Sequence, residues 1–148
     1  MIALRRAVID DLLAVTALQR PAYARNRVIL GVEPLPLMAD YAEVFANYEV
    51  YLAERDGTLD GVLILEPRAD DLLIWSIATA PDVQGRGIGN AMLALAESRA
   101  RAMGRTRMRL YTGEKLTGNI AWYVRHGYTL ESTEDMGDRV RVNLIKQL

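Results

Sequence analysis

Apolar and polar positions alternate along the chain with two different periods, which divide it into predicted strands and helices. The run Leu72–Ala80 is almost continuously apolar, which is typical of a strand buried on both faces, and Pro81 ends it. Beyond it, apolar side chains recur at helical spacing and predict a long helix from Ile88 to near Gly104. The predicted buried stripe of this helix is Ile88, Ala91, Met92, Leu95, Ala96, Ala102 and Met103.

The first half of the chain predicts a hairpin preceded by two helices. Its predicted elements are a strand at 2–7, a helix starting at Asp10 or Asp11, an irregular segment at 23–36, a helix at 40–46 and strands at 49–55 and 58–66. Pro21 either ends the first helix or begins a second short one. Gly31, Pro34 and Pro36 are the reason for expecting a loop at 23–36. Asp56-Gly57 favours a tight turn between the two strands.

The second half supplies strands on both sides of one long helix. Its predicted elements are strands at 106–112, 128–132 and 139–145 and a short helix at 118–126 that Thr117 caps. Because a helix separates the Leu72–Ala80 strand from the 106–112 strand, these two should run parallel through a right-handed crossover. The order predicts an α/β fold with a mixed sheet between helices, in a single domain spanning residues 1–148.

Composition narrows the class of protein. The net charge is −1, and the 18 basic residues are spread along the chain, which argues against an electrostatic nucleic-acid interface. The absence of cysteine excludes a thiol nucleophile, and a single histidine makes a zinc site improbable, so no metal is expected. No apolar run reaches the roughly 18 residues of a membrane span. We therefore expect a cytoplasmic protein with neither a membrane nor a nucleic-acid partner.

A glycine-rich turn joins the Leu72–Ala80 strand to the long helix. Its sequence is Gln84-Gly85-Arg86-Gly87-Ile88-Gly89. Free N–H groups and the helix dipole make such a helix start an anion site, and glycines allow close approach to the backbone. The turn lacks both the G-x-G-x-x-G spacing and the Gly-Lys-Ser/Thr of a P-loop. The turn therefore predicts a phosphate-bearing ligand. The alternative is that the turn needs its glycines for backbone geometry alone.

Two motifs resemble one family. Gln84-x-x-Gly87-x-Gly89 resembles the Q/R-x-x-G-x-G/A pyrophosphate motif of the GCN5-related N-acetyltransferases, the GNAT family, and Ala121–Tyr128 resembles the family's A-x-x-Y-x-x-x-G-F/Y segment. The resemblance covers nearly the whole chain. It implies the GNAT fold: a central mixed sheet of six or seven strands, about four flanking helices, and parallel strands 4 and 5 that splay apart.

The resemblance also implies which residues bind acetyl-CoA. The residues expected to hold its pyrophosphate are Gln84, Gly85, Arg86, Gly87, Ile88 and Gly89. Ile77, Ala78 and Thr79 would pair with the pantetheine arm and offer an N–H to the thioester carbonyl. Asn119 is a further cofactor contact, or only a polar residue of a first helical turn. Tyr123 is the candidate catalytic acid for the departing thiolate, or a tyrosine that only packs on its helix.

A base for the acceptor amine is less evident. Trp75 and Ser76 stand where many relatives carry a Glu on the central strand. Glu66 and Glu33 are alternatives that also fit solvated surface carboxylates, and His126 fits a cap at a helix C-terminus better than a base. The acceptor pocket is expected to involve Trp75, Tyr23, Tyr41 and Tyr48, for which core packing is the alternative.

The implied reaction is transfer of an acetyl group from acetyl-CoA to a primary amine of a small molecule or peptide, by direct attack in a ternary complex. Two alternatives stay open from the sequence: a non-catalytic acyl-CoA-binding regulatory module and a nucleotide-binding domain. An exposed edge strand near the C-terminus would allow a homodimer.

Overall fold

The computed structural model describes residues 2–148, which form one seven-stranded mixed sheet and six α-helices. The strands are β1 Leu4–Arg6, β2 Glu49–Arg55, β3 Thr58–Pro67, β4 Leu72–Thr79, β5 Arg107–Gly113, β6 Thr129–Asp135 and β7 Val140–Gln147. The helices are α1 Leu12–Ala22, α2 Ala24–Leu30, α3 Leu35–Met38, α4 Tyr41–Asn47, α5 Ile88–Ala102 and α6 Thr117–Arg125. None of these helices is both long and apolar enough to cross a bilayer.

The sheet has the order β1-β2-β3-β4-β5-β7-β6, and only β4 and β5 are parallel neighbours. Their ladder is short: Leu72–Ile74 pairs with Met108–Leu110, and the strands then separate. A bulge lies at the same level, because Ile64 faces Ser76 while Leu65 faces Ile74, which leaves Trp75 as the extra residue. The predicted parallel crossover and the splay of strands 4 and 5 are both confirmed.

The two faces of the sheet carry different helices. Directly opposed residues of antiparallel strands share a face, so Gly61 and Thr79 lie on one face. Ser76 lies on the other face, because side chains alternate along a strand and Ser76 is three residues away from Thr79. A Cβ on Gly61 would lie 2.9 Å from Ile88 at the start of α5, whereas Ser76 is hydrogen-bonded to Gln19 of α1. We call these the α5 face and the α1 face.

Several predicted elements agree with the structure. The hairpin at Asp56-Gly57 is confirmed, since both residues have the positive φ that a tight hairpin turn requires, 51° and 80°. Asp40 caps α4 by accepting a hydrogen bond from the Ala42 N–H at 3.0 Å. In α5, Leu93 and Ala100 are buried and Ala102 is exposed. The buried stripe is therefore displaced from the predicted one, and this side of α5 packs on β3, β4 and β5.

The expected loop at 23–36 was wrong. Pro21 sits inside the last turn of α1, and the chain resumes as α2 and then as α3. Gly31 ends α2 in the left-handed conformation, with φ of 73°. Proline and glycine here mark helix boundaries instead of an irregular segment. Thr117 was also misplaced by one residue: it is the first residue of α6, and Leu116 is the N-cap.

Candidate active site

A cleft of about 500 Å³ opens where β4 and β5 separate. Its wall takes in the second half of β4, the glycine-rich turn, the start of α5, the end of β5 and one side of α6. The junction of α1 with α2, residues 34–36 and the β6–β7 connection complete it. The cleft therefore passes between the two parallel strands and has walls from both faces of the sheet.

The glycine-rich turn has the geometry of an anion site. Gly85 and Gly87 have φ of 81° and 83°, which side-chain-bearing residues rarely adopt. Gly87 is the N-cap of α5, and the first helical bond runs from the Ala91 N–H to the Gly87 carbonyl at 3.0 Å. The N–H groups of residues 88–90 consequently lack an intrahelical acceptor at the positive end of a 15-residue helix.

Most residues predicted to bind the cofactor lie in the cleft wall. They are Ile77, Ala78, Thr79, Gln84, Gly85, Gly87, Ile88, Gly89 and Asn119. Arg86 is the exception: it is exposed and is not part of the cleft wall. Gly89 contacts the α6 side of the cleft, where an added Cβ would lie 3.4 Å from the Trp122 ring. The turn and α6 thus form one continuous wall.

Tyr123 projects from α6 into this wall. Its ring packs edge-on against Trp122 and Tyr128, with centroid distances of 5.0 and 5.7 Å. Its hydroxyl makes no hydrogen bond with any residue from 2 to 148. Burial, and secondarily the neighbouring Tyr23, raise the pKa of Tyr123 far above its ordinary value. The group is therefore a neutral phenol, and its raised pKa makes it a weaker acid than a free tyrosine.

Sequence reasoning missed a buried hydroxyl network on the α1 face. Gln19, which is 1% exposed, donates to the Tyr41 hydroxyl at 3.1 Å and to the Ser76 hydroxyl at 3.0 Å. Ser76 is also 2.7 Å from the Tyr23 hydroxyl. Tyr41 in turn donates to the Pro36 carbonyl at 2.6 Å. Ser76 thus occupies the β4 position beside the bulge, where the family resemblance would place a carboxylate.

The three groups considered as a base lie elsewhere. Within residues 2–148, the cleft wall contains no Asp, Glu or His. The Glu33 carboxylate is 3.8 Å from the Arg27 guanidinium. The imidazole of His126 is 2.7 Å from the Trp122 carbonyl and contacts α5 through Asn90. This geometry agrees with the capping interpretation of His126. Glu66 lies near Tyr48 and Tyr111: burial raises the pKa of both tyrosines, and the charge of Glu66 adds to that effect.

Two arginines bring positive charge to the wall formed by β7 and the preceding loop. Arg141 lies over the Tyr111 ring at 4.4 Å and donates to Glu134 at 2.7 Å. Its Nε is buried and has no partner in the described chain. Arg139 also lines the cleft and pairs with the exposed Asp138. Both arginines thus line the cleft while each is paired with a carboxylate outside the cleft wall.

The predicted aromatic pocket is divided by the sheet bulge. Trp75 and Tyr23 line the cleft, whereas Tyr41 and Tyr48 lie outside its wall. The Trp75 ring packs on both, with centroid distances of 6.2 Å to Tyr41 and 5.8 Å to Tyr48. Tyr41 and Tyr48 thus support the wall from behind.

Comparison with known proteins places this geometry in a family. The model of the acetyltransferase (GNAT) family matches residues 13–128. An amino-acid acetyltransferase from Ralstonia nicotianae is 30% identical over 135 residues, which cover 90% of this chain. The chain spans only 28% of the length of that relative.

Solved structures share the fold at low sequence identity. The PaiA N-acetyltransferase of Thermoplasma acidophilum, determined in complex with coenzyme A, has a TM-score of 0.81 and 19% identity over 100% of this chain and 99% of its own. The ribosomal-protein-S18-alanine N-acetyltransferase of Escherichia coli has a TM-score of 0.81 and 18% identity over 99% of this chain and 94% of its own.

Proposed function

The chain belongs to the GNAT family of acetyltransferases, and on that premise we propose that it transfers an acetyl group from acetyl-CoA to a primary amine. The observation that carries the proposal is the cleft between β4 and β5, which joins the glycine-rich turn to the Tyr123 hydroxyl. The turn supplies backbone N–H groups for the pyrophosphate. Residues 77–79 supply backbone groups for the pantetheine arm along the unpaired edge of β4.

The proposed reaction is one direct displacement in a ternary complex. The amine nitrogen attacks the thioester carbon, the C–N bond forms and the C–S bond breaks. A backbone N–H near Ala78 or Thr79 stabilises the developing oxyanion. The Tyr123 hydroxyl gives its proton to the departing thiolate and recovers one from water. The proton lost by the amine goes to water, since the described cleft wall offers it no carboxylate.

We further propose that the acceptor is an α-amine carrying a carboxylate or carbonyl group nearby, as in an amino acid or a peptide N-terminus. Arg141 and Arg139 place positive charge at the acceptor end, and the Arg141 Nε has an unused N–H. An α-amine loses its proton near pH 8, far more readily than a lysine side chain. The Ralstonia relative is named for amino-acid acetylation, which agrees with this class.

The test is a panel of amines incubated with acetyl-CoA, with thiol release and product mass as readouts. Each amino acid is paired with its amide and with the amine that lacks its carboxyl group. We expect turnover to be highest for the carboxylate member and to lose that preference in Arg141→Gln. Arg107→Gln is the matched control, because Arg107 also has a buried unpaired Nε but lies outside the cleft.

Two results would contradict the proposal. Coenzyme A binding without turnover across a broad panel would favour the non-catalytic acyl-CoA module. Tight binding of ATP or NAD without coenzyme A binding would favour a nucleotide-binding domain. Three expectations stay predictions: the cytoplasmic location, the single-domain organisation and a homodimer through the exposed edge strand β6. Light scattering of the purified protein tests the homodimer.

A further inference from the structure

Tyr23 occupies the junction of α1 and α2, where its ring reaches the cleft on the α1 face. This is the face opposite to the one that carries α5 and the glycine-rich turn. An acceptor that meets the thioester from the side away from the phosphate site therefore approaches past Tyr23. Tyr23 is also joined directly to the central strand through Ser76, at 2.7 Å.

Donor counting fixes the direction of the hydrogen bonds that Gln19 makes within the network. Both hydrogens of the Gln19 amide are used, one on Tyr41 and one on Ser76. Ser76 thus accepts from Gln19, and within residues 2–148 its own hydrogen finds only the Tyr23 oxygen. The bond between Ser76 and Tyr23 can run in either direction, because the Ser76 oxygen has a second lone pair that can accept from Tyr23. In either direction the Tyr23 oxygen keeps a free lone pair, with the cleft beside it.

The network does not provide a proton relay. The Tyr41 hydroxyl already donates to a carbonyl, and the Gln19 amide ends the network with an Oε1 that has no partner in the described chain. Among residues 2–148, the network contains no carboxylate or imidazole that could take up a proton passed on from Ser76. Burial also raises the pKa of Tyr23 to about 12, in opposition to the hydrogen bond with Ser76, so the phenol stays neutral. The network can hold Tyr23 in place but cannot carry charge away.

We propose that Tyr23 binds the acceptor amine: its oxygen accepts one N–H of the neutral amine and so directs the nitrogen lone pair toward the thioester carbon. Ser76 and Gln19 are positioning residues that fix the phenol. This inference rests on the proposed function and adds a residue that neither sequence motif contains. Its physical benefit is orientation, since a displacement is fast only when the attacking atom is aligned in advance.

The experiment compares Tyr23→Phe with Tyr51→Phe at saturating and limiting acceptor. Tyr51 is the matched control because it is also a buried tyrosine whose hydroxyl makes one hydrogen bond, to Glu49 at 2.8 Å. Tyr51 lies outside the cleft wall. We expect Tyr23→Phe to lower kcat/KM for the acceptor about three- to tenfold, the usual effect of one hydrogen bond. KM for acetyl-CoA and the pH at which activity rises should stay unchanged. Tyr51→Phe should leave all three quantities unchanged.

A second variant keeps the test independent of the tyrosine ring. Ser76→Ala should reduce acceptor kcat/KM in the same direction while acetyl-CoA affinity is retained. The inference is overturned if Tyr23→Phe has wild-type kcat/KM for the acceptor, or if it raises KM for acetyl-CoA by the same factor as it lowers acceptor kcat/KM. A shift of the pH profile of activity would overturn it as well. Those outcomes leave the proposed function intact, because wild-type turnover is measured in the same assay. Absence of wild-type turnover would instead overturn the proposed function, and this inference with it.

Discussion

Gly87 and Gly104 lie at opposite ends of α5 and provide a matched pair of substitutions. Both have left-handed backbones, with φ of 83° and 72°. A Cβ on Gly87 would meet only Ile2 at 3.9 Å, and one on Gly104 would meet nothing within 4 Å. Replacement by alanine at either site therefore costs mainly backbone strain. Gly87 lies in the proposed phosphate site and Gly104 far from it.

The two substitutions should lower stability by the same amount but differ in their effect on acetyl-CoA binding. A non-glycine residue in the left-handed region costs roughly 1–2 kcal/mol. For a chain of this length, 1 kcal/mol lowers Tm by about 2–4 °C. Gly87→Ala and Gly104→Ala should thus lose similar amounts of Tm. Only Gly87→Ala should also raise KM for acetyl-CoA, by about tenfold, because the backbone N–H groups of the turn are displaced.

The assay is thermal unfolding of both variants followed by acetyl-CoA titration at fixed acceptor. The acceptor KM serves as an internal check that the rest of the cleft is intact. If Gly104→Ala raised KM for acetyl-CoA as much as Gly87→Ala, the effect would come from α5 as a whole. If neither variant changed it, the pyrophosphate would not bind at this turn, and the assignment of residues 84–89 would be wrong.

Three further predictions concern catalysis and stability. Tyr123→Phe should lower kcat less than tenfold, because a thiolate whose thiol has a pKa of about 8.5 leaves tolerably without an acid, and a thousandfold loss in rapid-quench measurements would refute this. At pH 7 about 14% of an α-amine but only about 0.04% of a lysine-like amine is neutral, so kcat/KM should favour the former and rise with pH toward the amine's own pKa. A rise at one fixed pH for every amine would instead reveal a protein base. Burial of Asp71 would raise the pKa of its carboxyl, but hydrogen bonds and charges from Arg68 and Arg109 outweigh burial and hold that pKa below its ordinary value. The stabilisation is therefore present above pH 4 and lost as the pH falls further, and Asp71→Asn should flatten the acid limb of a Tm-against-pH curve.

Local chemistry explains why much of the fold was predictable from the sequence. Asp56-Gly57 between two strand patterns strongly favours a hairpin turn. The crossover from β4 through α5 to β5 has one preferred hand. The spacing of Gly85, Gly87 and Gly89 likewise marked the start of α5. These features depend on residues that are neighbours in the chain, so their signal is present before any tertiary contact forms.

The acceptor side of the cleft depends on contacts that the sequence does not display. Tyr23 and Ser76 are 53 residues apart, and neither lies in a recognisable motif. Their contact exists because α1 packs on β4 beside the bulge at Trp75. Arg141 reaches the same cleft from a strand added at the far side of β5. The sequence names Tyr23 and Ser76 separately, but the contact between them becomes visible only once the register of the sheet is known.

The short ladder between β4 and β5 divides the sheet into two groups of strands, here called leaves. One leaf contains β1 to β4 and the other β5, β7 and β6, with three residue pairs connecting them. A coenzyme A arm laid along residues 77–79 would connect the two leaves. Amide hydrogen exchange along this stretch should therefore slow when coenzyme A is added, and twisting motion between the leaves should diminish with it. Cosubstrate binding would in this way stiffen the frame that holds the acceptor.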